Sequence, residues 1–213
     1  MKLQTDQRVE IKFSSEKYFN YKSSLLSKGF IKINDDRHVH SIYYDTLRLK
    51  FFRNHIDGDN NRHKYRLRSY GDLKITGVKF NLEIKKKHSL YGNKIRYDNF
   101  LVLKNNNKLP IINSEFDGNI EPKLLVSYIR EYFYKPGYNI RATIDKNLRY
   151  FPIVNKKIQT NFGINKMNLS ICEFKIKKNI FENGLPHIIN TNKSEKFSKY
   201  VDAIYSLKLS NYG

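Results

Sequence analysis

Cations and carboxylates recur in this chain at two-residue spacing. Arg8, Glu10 and Lys12 alternate with Val9 and Ile11, and Lys64, Arg66 and Arg68 alternate with Tyr65 and Leu67. The same spacing returns in Glu83-Ile84-Lys85-Lys86-Lys87, in Lys94-Ile95-Arg96, in Arg141-Ala142-Thr143-Ile144-Asp145 and in Glu173-Phe174-Lys175-Ile176-Lys177. Aligned Lys and Arg suit a ligand with many anionic oxygens in a line. A triphosphate or longer phosphate chain is such a ligand, and the planar arginine fork takes its oxygens two at a time. The interleaved carboxylates could hold those cations in place, or offer hard oxygens to a divalent metal. An ordinary sheet with one face in water also alternates. The mixing of Arg with Glu on one face, and its recurrence from residue 8 to residue 177, weigh against that simpler account.

Alternate residues of an extended chain point the same way, so each of these segments predicts a strand with one ionic and one apolar face. Helical periodicity is confined to Ser15–Lys28, which ends at Gly29, to Glu121–Tyr134 before Pro136-Gly137, and to about Ser194–Leu207. The stretch Lys104–Asn119 is polar and Asn-rich and reads as a loop, and Asn155–Asn168 as an irregular connection or a short strand pair. With so few helices the strands must pack largely on one another. The expected fold is α+β, mainly β: a closed antiparallel barrel with an ionic lumen, its apolar exterior covered by the helices and long connections.

The composition fits one folded domain over residues 1–213, with 39% hydrophobic and 14% aromatic residues. Forty Lys and Arg against 20 Asp and Glu give a formal charge of +20, which calls for an anionic partner without naming it. Asn, Lys and Ile are all abundant, as in chains from AT-rich genes, so charge alone carries little of the argument. The single Cys172 excludes an internal disulfide framework and fits the cytoplasm. No window approaches the roughly 20 apolar residues needed to cross a bilayer. Cys172 reads as a packed small hydrophobe, and His38 with His40 lacks a third metal ligand nearby. In Lys85-Lys86-Lys87-His88 the alternation sends Lys86 outward, which argues against a nucleic-acid patch.

Taken in order, Arg8-x-Glu10-x-Lys12, Ser41-Ile42-Tyr43-Tyr44-Asp45-Thr46, Lys64-Tyr65-Arg66-Leu67-Arg68-x-Tyr70 and Leu82-Glu83-Ile84-Lys85-x-Lys87 resemble the VTC domain. This is the polyphosphate polymerase domain within the triphosphate tunnel superfamily. The resemblance continues through Ser127-Tyr128-x-Arg130, Arg141-x-Thr143-x-Asp145, Glu173-x-Lys175 and Phe197-Ser198-Lys199-Tyr200. It implies an eight-stranded antiparallel tunnel and transfer of the γ-phosphoryl group of ATP to a growing polyphosphate, with Mn²⁺ or Mg²⁺. By the same resemblance Lys12, Arg66, Arg68, Lys85, Arg130, Arg141 and Lys199 carry catalysis. Arg62, Lys64, Lys87, Lys94, Arg96 and Ser198 bind substrate, and Glu173 holds the metal. Glu10, Glu83 and Asp145 are expected to pair with cations of the lumen, and Ser198 has a plain helix cap as its alternative role. Hydrolytic relatives begin with Glu-x-Glu-x-Lys, whereas here Arg8 takes the first place, which favours polymerisation over an inorganic or RNA triphosphatase. A non-catalytic polyphosphate-binding module is the remaining alternative. The resemblance leaves room for a membrane-protein partner at the inner face of a membrane, and no specific nucleic acid is expected.

Overall fold

The computed structural model describes residues 2–4, 8–15, 20–72, 78–88, 91–103, 108–114, 117–182, 189 and 194–209. In chain order its elements are β1 (Lys2–Gln4), β2 (Arg8–Ser15), α1 (Tyr21–Ser27), β3 (Ile31–Asp45), α2 (Lys50–Ile56), β4 (Asn61–Tyr70), β5 (Val78–His88) and β6 (Tyr91–Leu103). There follow β7 (Ile112–Ser114), β8 (Gly118–Lys135), β9 (Ile140–Val154), β10 (Lys157–Ile158), a 3₁₀ turn (Thr160–Phe162), β11 (Ile164–Lys166), β12 (Ser170–Lys177), α3 (Lys178–Glu182) and α4 (Lys199–Ser206). All six segments with alternating charge are strands. Among the described residues no helix is long and apolar enough to cross a membrane.

The eight long strands form one antiparallel sheet in the order β6-β5-β4-β3-β8-β9-β12-β2, and β1 extends the β6 edge. Among the described residues hydrogen bonds do not close this sheet, so the expected closed barrel is not borne out. The outer edge of β2 is used otherwise: the Glu195 amide donates to the Lys12 carbonyl at 2.9 Å, and the Ser14 hydroxyl bonds the Glu195 carboxylate. The sheet is nevertheless strongly curled. Lys85 on β5 and Glu10 on β2 stand six strands apart along the sheet, yet their side chains meet at 2.6 Å. Covalent geometry adds a second constraint. Gln4 ends a strand on one edge and Arg8 begins a strand on the other, and four residues span at most about 14 Å.

The convex face is largely apolar. Ile11, Ala142, Ile144, Cys172, Phe174 and Ile176 pack under Leu25 of α1, with Ile180 and Phe181 of α3 alongside. On the other half, Ile42, Tyr44, Tyr65, Leu67 and Leu82 lie beneath Leu109, Ile112 and Ile120. The concave face is divided. One end is filled by Tyr200, Ala203 and Ile204 of α4, packed with Tyr43, Val126, Tyr150 and Ile171 and with Leu49 and Phe52 at α2; the rest is ionic. β9 serves both parts through an irregularity. Asn147 adopts φ 54° where the register with β8 shifts, so Thr143 and Asp145 share the ionic part while Leu148 and Tyr150 reach the apolar end.

The segment Glu121–Tyr134 is strand β8, not a helix. Leu124, Val126 and Tyr128 are buried on the concave side and Leu125 on the convex side, and a strand covered on both faces loses the alternation that would reveal it. Its Val, Ile and aromatic content was the better guide. The expected first helix is only Tyr21–Ser27, capped by the Asn20 side chain on the Ser23 amide at 3.0 Å; Ser15 ends β2, and 16–19 lie outside the described residues. The third starts at Lys199 rather than Ser194. Within the expected loop Lys104–Asn119, residues 112–114 pair with β8, while 104–107 and 115–116 lie outside the described residues. Asn155–Asn168 contains β10 and β11, both paired with β9, as its strand-pair reading expected.

Asp45 joins α2 to α4. It is fully buried and accepts from the amides of Phe51 (2.9 Å) and Phe52 (3.0 Å) and from the Tyr200 hydroxyl (2.6 Å). It thereby caps α2, whose N-cap residue Leu49 has no capping side chain and sits at φ 53°. Asp45→Ala would strand these donors, each costing about 1–3 kcal/mol when unsatisfied. The expected loss of stability in urea unfolding is at least about 2 kcal/mol, although no cation of the concave face is touched.

Candidate active site

Strand register sets the predicted residues in rows. Lys64, Lys85 and Lys94 lie directly opposite one another on β4, β5 and β6, with Arg62 opposite Lys87 to one side and Arg66-Glu83-Arg96 to the other. The facing wall carries Lys12-Glu173-Thr143 and Glu10-Lys175-Arg141 across β2, β12 and β9. Like charges directly opposite destabilise a sheet by roughly 0.2–1 kcal/mol per pair. Three lysines in one row are therefore a cost the free protein bears.

Carboxylates pin the cations, as expected for three of them. Glu83 accepts from Arg66 at 2.6–2.8 Å and Lys94 at 2.7 Å, with Arg68 at 3.4 Å. Asp145 takes a bidentate contact from Arg130 at 2.6 and 2.7 Å and a third from Lys199 at 2.5 Å. Glu10 pairs with Lys85. Burial opposes the charge of Glu83 and Asp145, but the surrounding cations outweigh it and hold both far below the usual carboxylate range. Glu173 is buried 3.4 Å from Lys175, and against burial the charges of Lys175, Lys12, Arg130 and Lys199 keep it ionised.

The lysines feel the opposite pressure. Burial, then the charges of Lys12, Lys85 and the neighbouring arginines, pushes Lys64 well below its ordinary value. Burial likewise brings Lys94 down to about 8 and Lys175 down to about 8, despite Glu83 and Glu173 respectively, and lowers Lys87 together with Arg62 and Lys85. An anion added here would relieve the repulsion.

The start of α4 forms part of the same wall. Ser198 is the N-cap residue, but its side chain makes no capping bond; its hydroxyl accepts from Lys64 Nζ at 2.9 Å, so the plain-cap role does not hold. The Phe197 carbonyl lies 3.4 Å from Lys12 Nζ. Lys199 and Arg130 stand 5.0 and 5.3 Å from the centre of the Tyr128 ring, whose hydroxyl accepts from Arg68 at 3.2 Å. Tyr43 is buried among Arg66, Arg68 and Lys199, and their charges outweigh burial to lower its phenol.

Two predicted residues are peripheral. Arg141 is exposed at the start of β9, and Arg96 turns to Asp98 at 2.6 Å, about half exposed. Lys86 faces the convex side, in a groove with Ile84, Ile95 and Tyr97. Cys172 is buried in the convex core. His40 is held by Ser127 (2.8 Å) and the Gly71 carbonyl (3.0 Å). Among the described residues no group of three His, Cys, Asp or Glu could hold a metal by itself. Lys175, Tyr43 and Tyr128 belong to the site but were not predicted in it. Lys175 was legible, since it shares a strand face with Glu173; the tyrosines read as core.

A curled antiparallel sheet with a cation-rich concave face, flanked by a helix that contributes Lys199, is a tunnel-type fold. The chain belongs to the VTC domain family, whose sequence model matches residues 2–208. Among solved structures the fold is shared with a "putative adenylate cyclase" from Vibrio parahaemolyticus, at 12% identity and a TM-score of 0.51, over 92% of this chain and 97% of that one. No curated protein matches the sequence.

Proposed function

We propose that the chain is an ATP-polyphosphate phosphotransferase: it binds ATP and polyphosphate along the concave face and moves the γ-phosphoryl group to the chain end, releasing ADP. The observation that carries this reading is the facing Lys64-Lys85-Lys94 row beside Arg66 and Arg68, a linear excess of cations that Glu10 and Glu83 only partly balance. Phosphoryl transfer needs little covalent help from protein; alignment and neutralisation of charge supply most of the rate. Arg66 and Arg68 are held with their forks fixed, and Lys199 and Arg130 are fixed by Asp145, so the donors are oriented before substrate arrives.

The donor set fits a divalent cation shared with substrate. Glu10 and Glu173 lie diagonally on adjacent strands, and each feels the other's charge. Two carboxylates plus phosphate oxygens suit Mn²⁺ or Mg²⁺, which seldom rely on an all-protein cage. When bound, such an ion would neutralise charge on the transferred group. A membrane-protein partner remains part of the reading by family alone.

Purified protein given ATP and Mn²⁺ is expected to make acid-labile polymer with stoichiometric ADP, read by separate assays of polymer and free phosphate. Free phosphate without polymer would replace this reading with a triphosphatase. Tripolyphosphate binding with neither product would leave a binding module.

A further inference from the structure

Among the described residues, His55 is the imidazole whose charged neighbours are the site's cations. It lies in the last turn of α2, and the charges that reach it come from Lys64 and Arg62 on β4, Lys12 on β2 and Lys87 on β5. Among the described residues its Nδ1 is buried without a hydrogen-bond partner. The ring is only part-buried, so it is also open to the cavity or solvent. On the elements packed against α2, Asp45 is held by the α2 amides and Tyr200, and Asp202 of α4 by the Tyr150 hydroxyl, while Asp59 beyond α2 accepts from the Asn61 amide and Asp57 follows the helix directly. Lys199 of α4 is held by Asp145. A buried ring nitrogen without a partner is uncommon in native proteins and calls for a physical account.

A positive ring at this place would add a fifth cation to four, and only an anion lying between them would favour it. We infer that His55 is a further contact of the anionic ligand, donating a ring N–H to a phosphate oxygen at the α2 end of the site. The contact makes occupancy proton-coupled. In the free protein, burial and the four cations lower the ring to about 3, so it is neutral. A phosphate chain laid across Arg62, Lys64 and Lys87 reverses the sign of the local field and favours the imidazolium. Because the ligand raises the ring's proton affinity, ligand affinity must rise as pH falls through the bound-state value. The arginines of the same site keep their charge throughout, so His55 gives the site a pH response that they cannot.

The inference rests on the phosphate-chain reading, and one experiment separates the two. The full chain, labelled with ¹⁵N-histidine, is titrated with inorganic tripolyphosphate at pH 6 and at pH 9, with His55→Gln used to assign the signal. Binding is measured in parallel by calorimetry in two buffers of different ionisation enthalpy. At pH 6 the His55 ring nitrogens are expected to move from neutral to imidazolium shifts on saturation, with net proton uptake that His55→Gln reduces. His55→Gln should bind about tenfold more weakly than wild type at pH 6 and within about twofold at pH 9. His55→Arg should restore the pH 6 affinity; the loss of affinity that remains at pH 9 belongs to Lys94 and Lys175, both brought down to about 8. Tripolyphosphate that binds while the ring stays neutral, with His55→Gln matching wild type at both pH values, overturns the inference and leaves the site reading intact. Absence of any tripolyphosphate binding overturns the site reading, and the inference with it.

Discussion

Arg66→Ala is expected to weaken tripolyphosphate binding by about 10- to 100-fold while leaving the curled sheet folded. The factor follows from one charge-assisted, fork-shaped contact, worth roughly 1.5–3 kcal/mol, with each 1.4 kcal/mol a factor of ten. The fold should survive because the carboxylate that Arg66 orients is not stranded: Glu83 keeps Lys94 at 2.7 Å and Arg68 at 3.4 Å. Arg130→Ala is a poorer test, since it removes both bidentate bonds from Asp145, which is wholly buried, and leaves it only Lys199. Calorimetry with tripolyphosphate and urea unfolding of the same sample check the two halves of the statement. Arg66→Lys then separates charge from geometry, because lysine keeps the charge and loses the fork. Wild-type affinity in Arg66→Ala would remove Arg66 from the ligand's path. An unfolded Arg66→Ala beside a folded, weak-binding Arg66→Lys would still place the fork on the ligand.

The charges visible in the sequence at two-residue spacing were enough to find six of the eight long strands and most of the cations that face one another across them. Their order in the sheet was not legible there, because register depends on pairings between distant segments. The two long strands without the signal show why it failed. β8 is buried on both faces along much of its length, so Leu124-Leu125-Val126 reads as a continuous apolar run with no period. In β3 the concave positions nearest the cations are Ser41 and Tyr43, which carry no formal charge, although the Ser41 hydroxyl accepts from Arg68 at 3.0 Å. His55 had no signal at all. It sits on a seven-residue helix, and the charges of Lys12, Lys64 and Lys87 reach it from three strands distant in sequence.

That hydrogen bonds leave the sheet open among the described residues was not legible for a related reason. Alternation says which way side chains point, but not whether the two edge strands pair. Here ionic contacts across the cavity bring distant walls together, as Lys85 and Glu10 do, while Glu195 and the start of α4 occupy the free edge of β2. The residues that close the wall are thus also residues of the site. Lys64 reaches Ser198, and Lys12 reaches the Phe197 carbonyl, so a ligand that displaced either lysine would also perturb the chain leading into α4.

Glu173→Gln is expected to lower metal-dependent turnover by at least about a hundredfold while tripolyphosphate still binds as well as in wild type, or more tightly. The two effects have opposite signs for one reason. Glu173 is a buried negative charge among Lys12, Lys175, Arg130 and Lys199, so it repels a phosphate chain even as it would attract a divalent ion. Removing its charge frees Lys175, 3.4 Å away, for the ligand, and leaves Glu10 as the lone carboxylate beside Lys12 and Lys85. Glutamine preserves volume and a hydrogen-bonding oxygen, so neither packing nor a stranded polar atom should explain the loss. Turnover measured against Mn²⁺ concentration supplies the decisive readout: a metal ligand shifts the half-saturating concentration upward, whereas a carboxylate that only orients lysines lowers the maximum at unchanged half-saturation. Unaltered metal dependence at full activity would move the ion away from Glu173, and Glu10 would then be the carboxylate to replace.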